Sequence, residues 1–312
     1  MRILVLGAGG TGGYFGGRLA QAGVDVTFLV RPARAAQLSA DGLVIRSPLG
    51  DAQLRVRHLT AEQLPSAVAS APFDCVLLSC KAYDLDSSLE AIAPAMGEGT
   101  TLLPILNGLR HYDVLDRRFG AKRVLGGLCF ISASKSPTGE VLHLRPPASI
   151  TFGEREGDPN SARSQALSAA LEAAGVAHTL SEQIHQDLWI KFTFLTALAA
   201  ATCLMRANVG TIVATEGGRE LLEQTYAECI AVAQAAGWPV PQAAQETARG
   251  MLTQVGSQVT ASMLRDLEAG QKVEGDHIVG DMLRRARAAG QDAPMLATAW
   301  CHLQAYQARR ER

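Results

Sequence analysis

The glycine motif near the start of the chain is the sequence feature that most constrains the fold. Gly7, Gly9 and Gly12 follow a short apolar run at residues 3–6 and open a helical pattern that continues to residue 20. In a dinucleotide-binding βαβ unit, the first glycine permits a tight turn, the second lets the backbone approach a pyrophosphate, and the third lets the helix pack on the sheet. The sequence therefore predicts a Rossmann-type domain whose phosphate-binding residues are Gly7, Ala8, Gly9, Gly10, Thr11 and Gly12.

Strand and helix signals alternate through the first half of the chain. The run at residues 74–79 is apolar along most of its length, as is typical of a strand that is buried on both faces of a parallel sheet. Alternation of this kind predicts a parallel, doubly wound sheet. The other predicted strands are residues 3–6, 24–30, 101–106, 123–133, 140–145 and 149–152, with a hairpin formed by residues 43–46 and 54–58.

Only helical signals continue after residue 181. Ser181 is suited to cap a helix that runs to about Met205. The sequence thus predicts an α/β protein with an N-terminal Rossmann-type, doubly wound domain over residues 1–180 and a C-terminal all-helical domain over residues 181–312. The further helices of the second domain are predicted near residues 219–236, 241–255, 259–269, 274–289 and 294–309.

Charge and cysteine usage narrow the class of partner. The chain has 29 basic and 30 acidic residues, a balance that does not favour nucleic acid or an anionic membrane surface as a partner. Its six cysteines show neither CxxC spacing nor a Cys/His cluster, so we expect no metal site and a reducing compartment. The longest uncharged apolar run, residues 192–205, is too short to span a bilayer. We expect a cytoplasmic protein, monomeric or homodimeric.

The end of the second predicted strand bears on the choice of cofactor. Folds that bind NAD usually carry an acidic residue there, which holds the ribose hydroxyls. Here the strand is followed by Arg31 and Arg34, and no acid is present. A guanidinium suits the 2′-phosphate of NADPH because it can make bidentate contacts. The pattern favours NADPH, with a solvated loop residue as the alternative interpretation of Arg31.

Three polar residues stand at positions where a ligand site is expected. Lys81 and Asn107 follow the strands at residues 74–79 and 101–106, so both lie at the carboxyl edge of the predicted sheet, where ligands bind in such folds. Lys191 is the one charged residue between Asp187 and Arg206, on an otherwise apolar helix. A buried ammonium needs a partner or a function. Turn chemistry for the first two, and a lysine that extends to solvent for the third, remain alternatives.

Taken together, these segments resemble the ketopantoate reductase (2-dehydropantoate 2-reductase) family along nearly the whole chain. The resemblance includes the GxGxxG motif, the order of the later motifs, and the 12-residue separation between Ser262 and Glu274 (274 − 262). The later motifs are CKAYD at residues 80–84, LNGL at 106–109, WIKF at 189–192 and TASMLRD at 260–266.

The resemblance implies a reaction and a role for each site residue. It implies that NADPH reduces a 2-oxo acid, ketopantoate in pantothenate biosynthesis or a close analogue, with Lys191 as the general acid that protonates the carbonyl oxygen. Glu274 would orient substrate and cofactor, and Ser262 would contact the substrate carboxylate. Lys81 and Asn107 would contact the cofactor near its reacting end, with the Asn107 amide also a candidate substrate contact.

Two positions depart from the family pattern. The family usually has asparagines four and eight residues after the catalytic lysine, where this chain has Leu195 and Ala199. These apolar side chains cannot hydrogen-bond a substrate, so we expect a relaxed or shifted specificity. Two other classes of protein remain open: a hydroxy-acid or polyol-phosphate dehydrogenase with the same domain plan, and a non-catalytic NADPH-sensing protein.

Overall fold

The strands of the first half form two sheets. The computed structural model describes residues 1–311. The strands are β1 Arg2–Leu6, β2 Asp25–Leu29, β3 Leu43–Arg46, β4 Ala52–Leu54, β5 Arg57–Leu59, β6 Cys75–Leu78, β7 Thr101–Pro104, β8 Gly126–Lys135, β9 Val141–Gly153 and β10 Ala177–Leu180. The helices around them are α1 Gly10–Gln21, α2 Pro32–Asp41, α3 Leu64–Ser70, α4 Leu85–Ile92, α5 His111–Phe119 and α6 Ala162–Ala173.

The first sheet is parallel and has the order β5-β2-β1-β6-β7. Its central strand β1 pairs with β2 on one side and with β6 on the other. Because both faces of β1 and β6 are covered, their middle residues are buried and apolar. The predicted parallel, doubly wound sheet is confirmed, and its geometry brings the carboxyl ends of β1, β2 and β6 to one edge.

The second sheet differs from the sequence-based expectation. It has the order β10-β9-β3-β4, and β8 pairs with β9 as an antiparallel ribbon. The two runs predicted at residues 140–145 and 149–152 are one strand, β9, which continues through Pro146 and Pro147. Proline lacks the N–H of a regular ladder, and the register of β8 against β9 shifts on either side of Ser132, opposite this segment.

Two further strand predictions need correction. The hairpin is formed by β3 and β4, but β4 ends at Leu54, and residues 57–59 leave it to pair with β2 in the first sheet as β5. The strand β10 was not predicted, because its side chains alternate between exposed and half-buried positions and leave no apolar run. It pairs with β9 in parallel.

The turn between β1 and α1 depends on two of its glycines. Gly7 has a φ of +85°, a left-handed conformation that favours glycine. A Cβ atom on Gly12 would collide with Ser79 Oγ and would lie 2.7 Å from the carbonyl oxygen of Gly7. Ser79 itself donates a hydrogen bond to the carbonyl oxygen of Leu6 at 3.0 Å, so it cannot move aside freely. Close packing of α1 on β1 and β6 therefore requires glycine at position 12.

The second half of the described chain is helical. Its first helix is α7 Ile184–Met205, and its last is α13 Pro294–Arg310. Between them lie α8 Val209–Val213, α9 Gly218–Ala235, α10 Gln242–Leu252, α11 Ser262–Glu268, a π-helical turn Asp276–Gly280 and α12 Asp281–Ala288.

The start of α7 lies later than predicted. The helix begins at Ile184, and the Ser181 hydroxyl accepts the N–H of Gln183 at 3.0 Å in the turn that precedes it. With 22 residues and a mean hydropathy of 1.7 over its most apolar window, α7 is long and apolar enough to cross a membrane. The protein buries 72% of that window, as expected of a core helix.

The contacts divide the chain into two units. One contains residues 1–106 and 111–184, and the other contains residues 107–110 and the chain from residue 185 onward. This division falls four residues after the boundary predicted between residues 180 and 181. Arg312, the last residue of the predicted second domain, lies outside the described residues. The segment 107–110 follows β7 of the first sheet, yet it packs with the second unit.

Gly12→Ala should destabilise the protein more than Gly9→Ala does. The new methyl group at position 12 overpacks the β1–α1 junction, and we expect a loss of about 1–3 kcal/mol in the free energy of unfolding. Gly9 is the matched control, because a Cβ atom there meets no heavy atom within 4 Å, so its substitution should cost less than about 1 kcal/mol. Urea unfolding measures both; equal losses would contradict the packing argument.

Candidate active site

The N-terminus of α1 offers a place for a phosphate group. Gly9 is the N-cap residue, and no side chain within residues 1–311 caps the helix there. The first turn also contains no acidic residue. Backbone N–H groups and the positive end of the helix dipole thus face the open space beside Gly9. These features fit the diphosphate of a dinucleotide.

Arg31 lies at the N-cap of α2, at the end of the loop that follows β2. Its side chain is 77% exposed, and its Nη2 atom is 3.4 Å from Asp84 Oδ2. Asp84 belongs to the CKAYD segment, in the short turn that follows β6. The acid that the sequence lacks at the end of β2 is therefore supplied from a different loop.

Arg34 is a residue that the sequence analysis noted beside Arg31 without assigning it a role in the site. Its Nε atom donates a hydrogen bond to the carbonyl oxygen of Ala8 at 3.2 Å, so its guanidinium contacts the glycine loop directly. Its Nη1 atom donates to Gln37 Oε1 at 3.2 Å. Burial lowers the pKa of Arg34, although a guanidinium stays charged in proteins. The i, i+3 spacing from Arg31 on α2 was the signal that could have identified it.

Lys81 occupies the predicted place at the carboxyl end of β6. It is half-buried and forms the N-cap of the turn Ala82–Asp84. The strand β6 is adjacent to β1, so Lys81 and the glycine loop extend from neighbouring strands at one edge of the sheet.

Lys191 and Asn107 are brought together by the fold. The Lys191 Nζ atom donates a hydrogen bond to Asn107 Oδ1 at 3.1 Å, between residues that are 84 positions apart. Lys191 is only 8% exposed, so its ammonium does not extend into solvent as the alternative interpretation required. The amide oxygen partly compensates the loss of hydration of this buried charge.

The loop that carries Asn107 is held against the π-helical turn. Gly108 has a φ of +82°, and a Cβ atom there would lie 2.9 Å from the His277 ring. Arg110 forms an ion pair with Asp276 at the start of the same turn. Glu274 lies two residues before the first residue of this turn, and its carbonyl oxygen accepts the N–H groups of residues 277 and 278 at 3.1 Å. The loop of Asn107 and the main chain of Glu274 thus both contact the same π-helical turn, and such turns are frequent at functional sites.

Charges around the π-helical turn set the protonation of two of its residues. Burial by itself would raise the pKa of Asp276, but the hydrogen bond and charge of Arg284, with the charge of Arg110, hold it below its usual value. Burial also lowers the pKa of His277, although the nearby carboxylates of Glu274 and Asp281 act in the opposite direction. Asp276 is therefore ionised and His277 neutral near pH 7.

A second set of contacts positions the first turns of α7. Asp281, which is buried, accepts a hydrogen bond from Arg285 Nε at 2.9 Å. The Arg285 guanidinium lies 5.4 Å from the centre of the Trp189 ring, two residues before Lys191. The spacing of Trp189 and Lys191 in the sequence does not predict this contact, because Arg285 belongs to α12.

The remaining predicted site residues have different degrees of exposure. Glu274 is 7% exposed, Leu195 is half-buried and Ala199 is completely buried. Ser262 is the first residue of α11, and across the described chain its hydroxyl makes no hydrogen bond. Asn208 accepts the N–H of Thr211 at 2.8 Å and so caps α8.

Comparison with known proteins identifies both halves of the chain. The family described as "Ketopantoate reductase PanE/ApbA" matches residues 3–157, and "Ketopantoate reductase PanE/ApbA C terminal" matches residues 183–307. The chain is 38% identical to the "Uncharacterized oxidoreductase YkpB" of Bacillus subtilis, over 99% of each sequence. It is 30% identical to the "2-dehydropantoate 2-reductase" of Halobacterium salinarum, over 96% of each.

Solved structures give the same result. A PanE/ApbA family ketopantoate reductase from Ralstonia eutropha superimposes with a TM-score of 0.88 at 26% identity, over 100% of both chains. A D-mandelate dehydrogenase solved with NADH and anilino(oxo)acetate has the same fold, with a TM-score of 0.88 at 19% identity over 100% of both chains. Given the family matches and the identity to relatives along its full length, the chain is an oxidoreductase that belongs to the ketopantoate reductase family.

Proposed function

We propose that this oxidoreductase uses NADPH to reduce a 2-oxo acid to a 2-hydroxy acid, with 2-dehydropantoate or a close analogue as substrate. The observation that carries the proposal is the buried Lys191 ammonium, held by Asn107 at 3.1 Å. A nicotinamide cofactor is supported by the family and by the glycine loop. We further propose that the protein is cytoplasmic and acts as a monomer or homodimer on a small molecule. All six cysteines lie within the described residues, and none of them forms a disulfide bond there.

The first unit supplies the residues that would hold the cofactor. The N-terminus of α1 would bind the diphosphate through backbone N–H groups, and Arg31 would pair with the 2′-phosphate. Arg34 would brace the glycine loop through its hydrogen bond to the carbonyl oxygen of Ala8. Bound NADPH supplies the hydride for the reduction.

Lys191 is the proposed proton donor. Negative charge develops on the carbonyl oxygen of a ketone during reduction, and a positioned ammonium stabilises that charge and then transfers a proton to the oxygen. Asn107 suits this task because a neutral amide orients the ammonium without competing for its proton. A carboxylate at position 107 would instead stabilise the charged lysine and so oppose the transfer.

Glu274 and Ser262 are the proposed substrate-orienting residues. The Ser262 hydroxyl has no hydrogen-bond partner among residues 1–311, so it is available to donate to a substrate carboxylate. Glu274 is fixed by the π-helical turn that also holds the loop of Asn107. The carboxylate of Glu274 is therefore suited to accept a hydrogen bond from a substrate hydroxyl.

The substrate itself is best identified by an assay of NADPH oxidation across a panel of 2-oxo acids that includes 2-dehydropantoate. We expect turnover that requires both the carboxylate and the ketone. A protein that binds NADPH but oxidises it with none of these acids would contradict the proposal and favour an NADPH-sensing role. Turnover restricted to polyol phosphates would favour the other dehydrogenase class.

Lys191→Ala should lower kcat by about 10²–10⁴, the usual contribution of a general acid, while NADPH binding changes only a few-fold. Stopped-flow turnover and fluorescence titration with NADPH measure the two effects separately. Lys122→Ala is the control, because Lys122 is an exposed lysine of the first unit and its removal should leave both values unchanged. Turnover within a few-fold of wild type in the Lys191 variant would assign this lysine a structural role.

Glu274→Gln should lower kcat/KM by about tenfold or more, with little loss of stability, because the carboxylate acts on substrate and cofactor. If Glu274 merely complements the helix dipole, the variant should lose only about 0.3–1 kcal/mol of stability and keep normal kinetics. Steady-state kinetics and thermal unfolding distinguish the two cases. Glu268→Gln is the control, since Glu268 is an exposed acid at the end of α11.

Leu195→Asn should shift specificity toward substrates with a hydroxyl group. An apolar pocket discriminates weakly against an analogue that lacks a hydroxyl, whereas a hydrogen-bonding pocket discriminates strongly. We therefore expect kcat/KM for 2-dehydropantoate and for its deoxy analogue to be similar in the wild type, and their ratio to rise in this variant and in the double variant with Ala199→Asn.

The burial of these side chains determines which variant is the primary measurement and which is the control. Ala199 is completely buried, so Ala199→Asn is also expected to lower stability by overpacking, and the single variant at the half-buried Leu195 is the primary measurement. Leu204→Asn, at another half-buried leucine of α7, is the control and should not change the ratio. A wild-type preference for 2-dehydropantoate above about 10³ would mean that other residues supply the hydrogen bonds.

A further inference from the structure

The ion pair of Arg31 with Asp84 joins two loops of the cofactor-binding half. Arg31 follows β2 and Asp84 follows β6, and these strands are the two neighbours of β1 in the sheet. The glycine loop follows β1 itself. The carboxylate of Asp84, 3.4 Å from the Arg31 guanidinium, therefore lies within contact distance of the group proposed to bind the 2′-phosphate of NADPH.

The Asp84 side chain pairs with Arg31 instead of capping the helix that it precedes. It is the N-cap residue of α4, where an aspartate usually accepts a backbone N–H of the first helical turn. No such hydrogen bond from the described part of the chain reaches its side chain. The carboxylate is thus directed to the guanidinium, and it remains 40% exposed.

Exposure also means that a ligand can open this ion pair. The Arg31 side chain is 77% exposed, and pairs between exposed charges are weak because water and salt screen them. Each partner is consequently available to a ribose that binds here. The guanidinium attracts a 2′-phosphate, whereas the carboxylate repels it and can accept a hydrogen bond from a 2′-hydroxyl, as the acid after β2 does in folds that bind NAD.

We propose that Asp84 is a second determinant of cofactor choice and acts in opposition to Arg31, an inference that rests on the proposed nicotinamide cofactor and on the proposed role of Arg31. Asp84 accepts a hydrogen bond from the ribose hydroxyl of NADH and repels the 2′-phosphate of NADPH. The wild-type protein therefore prefers NADPH by a smaller factor than Arg31 alone would give, and it also binds NADH.

Asp84→Asn tests this assignment, because it removes the charge and keeps the shape of the side chain. Calorimetry should compare NADPH with NADH, and adenosine 2′,5′-bisphosphate with 5′-AMP, a pair of fragments that differ at the ribose 2′ position and carry no nicotinamide. We expect the selectivity for the 2′-phosphate, expressed as the ratio of Kd values within each pair, to rise about tenfold. Asp86→Asn is the matched control, since Asp86 is an exposed acid of the first turn of α4, and its ratio should stay within about twofold of wild type.

Salt provides a readout that a purely structural role would not change. Raising NaCl from about 0.05 M to about 0.5 M should reduce the difference between wild type and Asp84→Asn, because the charges involved are exposed. An unchanged selectivity ratio in Asp84→Asn would overturn the inference. Weaker binding of adenosine 2′,5′-bisphosphate in that variant would also overturn it, since Asp84 would then hold Arg31 in place for the phosphate.

The failure of this inference is distinguishable from failure of the proposed function. If the wild type binds both dinucleotides and reduces no 2-oxo acid, the proposed function fails while the fragment ratios still support or overturn the role of Asp84. If the wild type binds neither dinucleotide, the cofactor assignment fails and the inference falls with it.

Discussion

A buried ammonium must recover in the folded protein the hydrogen bonds that it makes to water, and at Lys191 the loop 107–110 and the π-helical turn contribute to meeting this requirement. Asn107 provides one acceptor from a loop that follows the first sheet. That loop is held by close packing of Gly108 on His277 and by the ion pair of Arg110 with Asp276. The π-helical turn therefore helps to position the hydrogen-bond partner of Lys191, because it contacts the loop that carries the Asn107 amide.

The cofactor-binding half depends on a different constraint, which is the close approach of backbone to ligand. Gly12 lets α1 pack tightly on the sheet, and a Cβ atom at Gly9, the N-cap of that helix, would meet no heavy atom within 4 Å. Charged side chains around this turn come from the residues that follow β2 and β6, the two neighbours of β1. Three charged residues lie around the glycine loop: Arg31, Arg34 and Asp84. The affinity for a 2′-phosphate would depend on the attraction of the guanidinium groups and the repulsion of the carboxylate.

Membership of the ketopantoate reductase family identifies the protein as an oxidoreductase but does not identify its substrate. The relative with 38% identity is known as an oxidoreductase without a stated substrate, and a D-mandelate dehydrogenase has the same fold. Leu195 and Ala199, the two positions where the family resemblance leads us to expect asparagines, lie on the helix of Lys191. Since Lys191, the proposed proton donor, is separate from these positions, substrate choice can diverge while the proposed reduction step is retained.

Local patterns were sufficient for many of the elements. The glycine spacing predicted the β1–α1 turn, the continuous apolar run predicted β6, and the lone charge of Lys191 on an apolar helix pointed to a buried lysine that needs a partner, which the structure shows to be Asn107. Boundaries were less well predicted: α7 begins at Ile184 instead of following Ser181, and β9 continues through Pro146 and Pro147. Such a strand is stabilised by its contacts with neighbouring strands, and these contacts cannot be read from the sequence of the strand itself.

The sequence by itself determined the α/β order and the glycine-rich turn between β1 and α1, because residue periodicity and turn preferences act over a few positions; it also supplied the candidate site residues. Only the tertiary structure decided which of those residues meet. Asn107 reaches Lys191 across 84 positions, and Asp84 reaches Arg31 from the far side of β1. Such contacts follow from strand order and helix packing, which bring together the ends of elements that are remote in the chain.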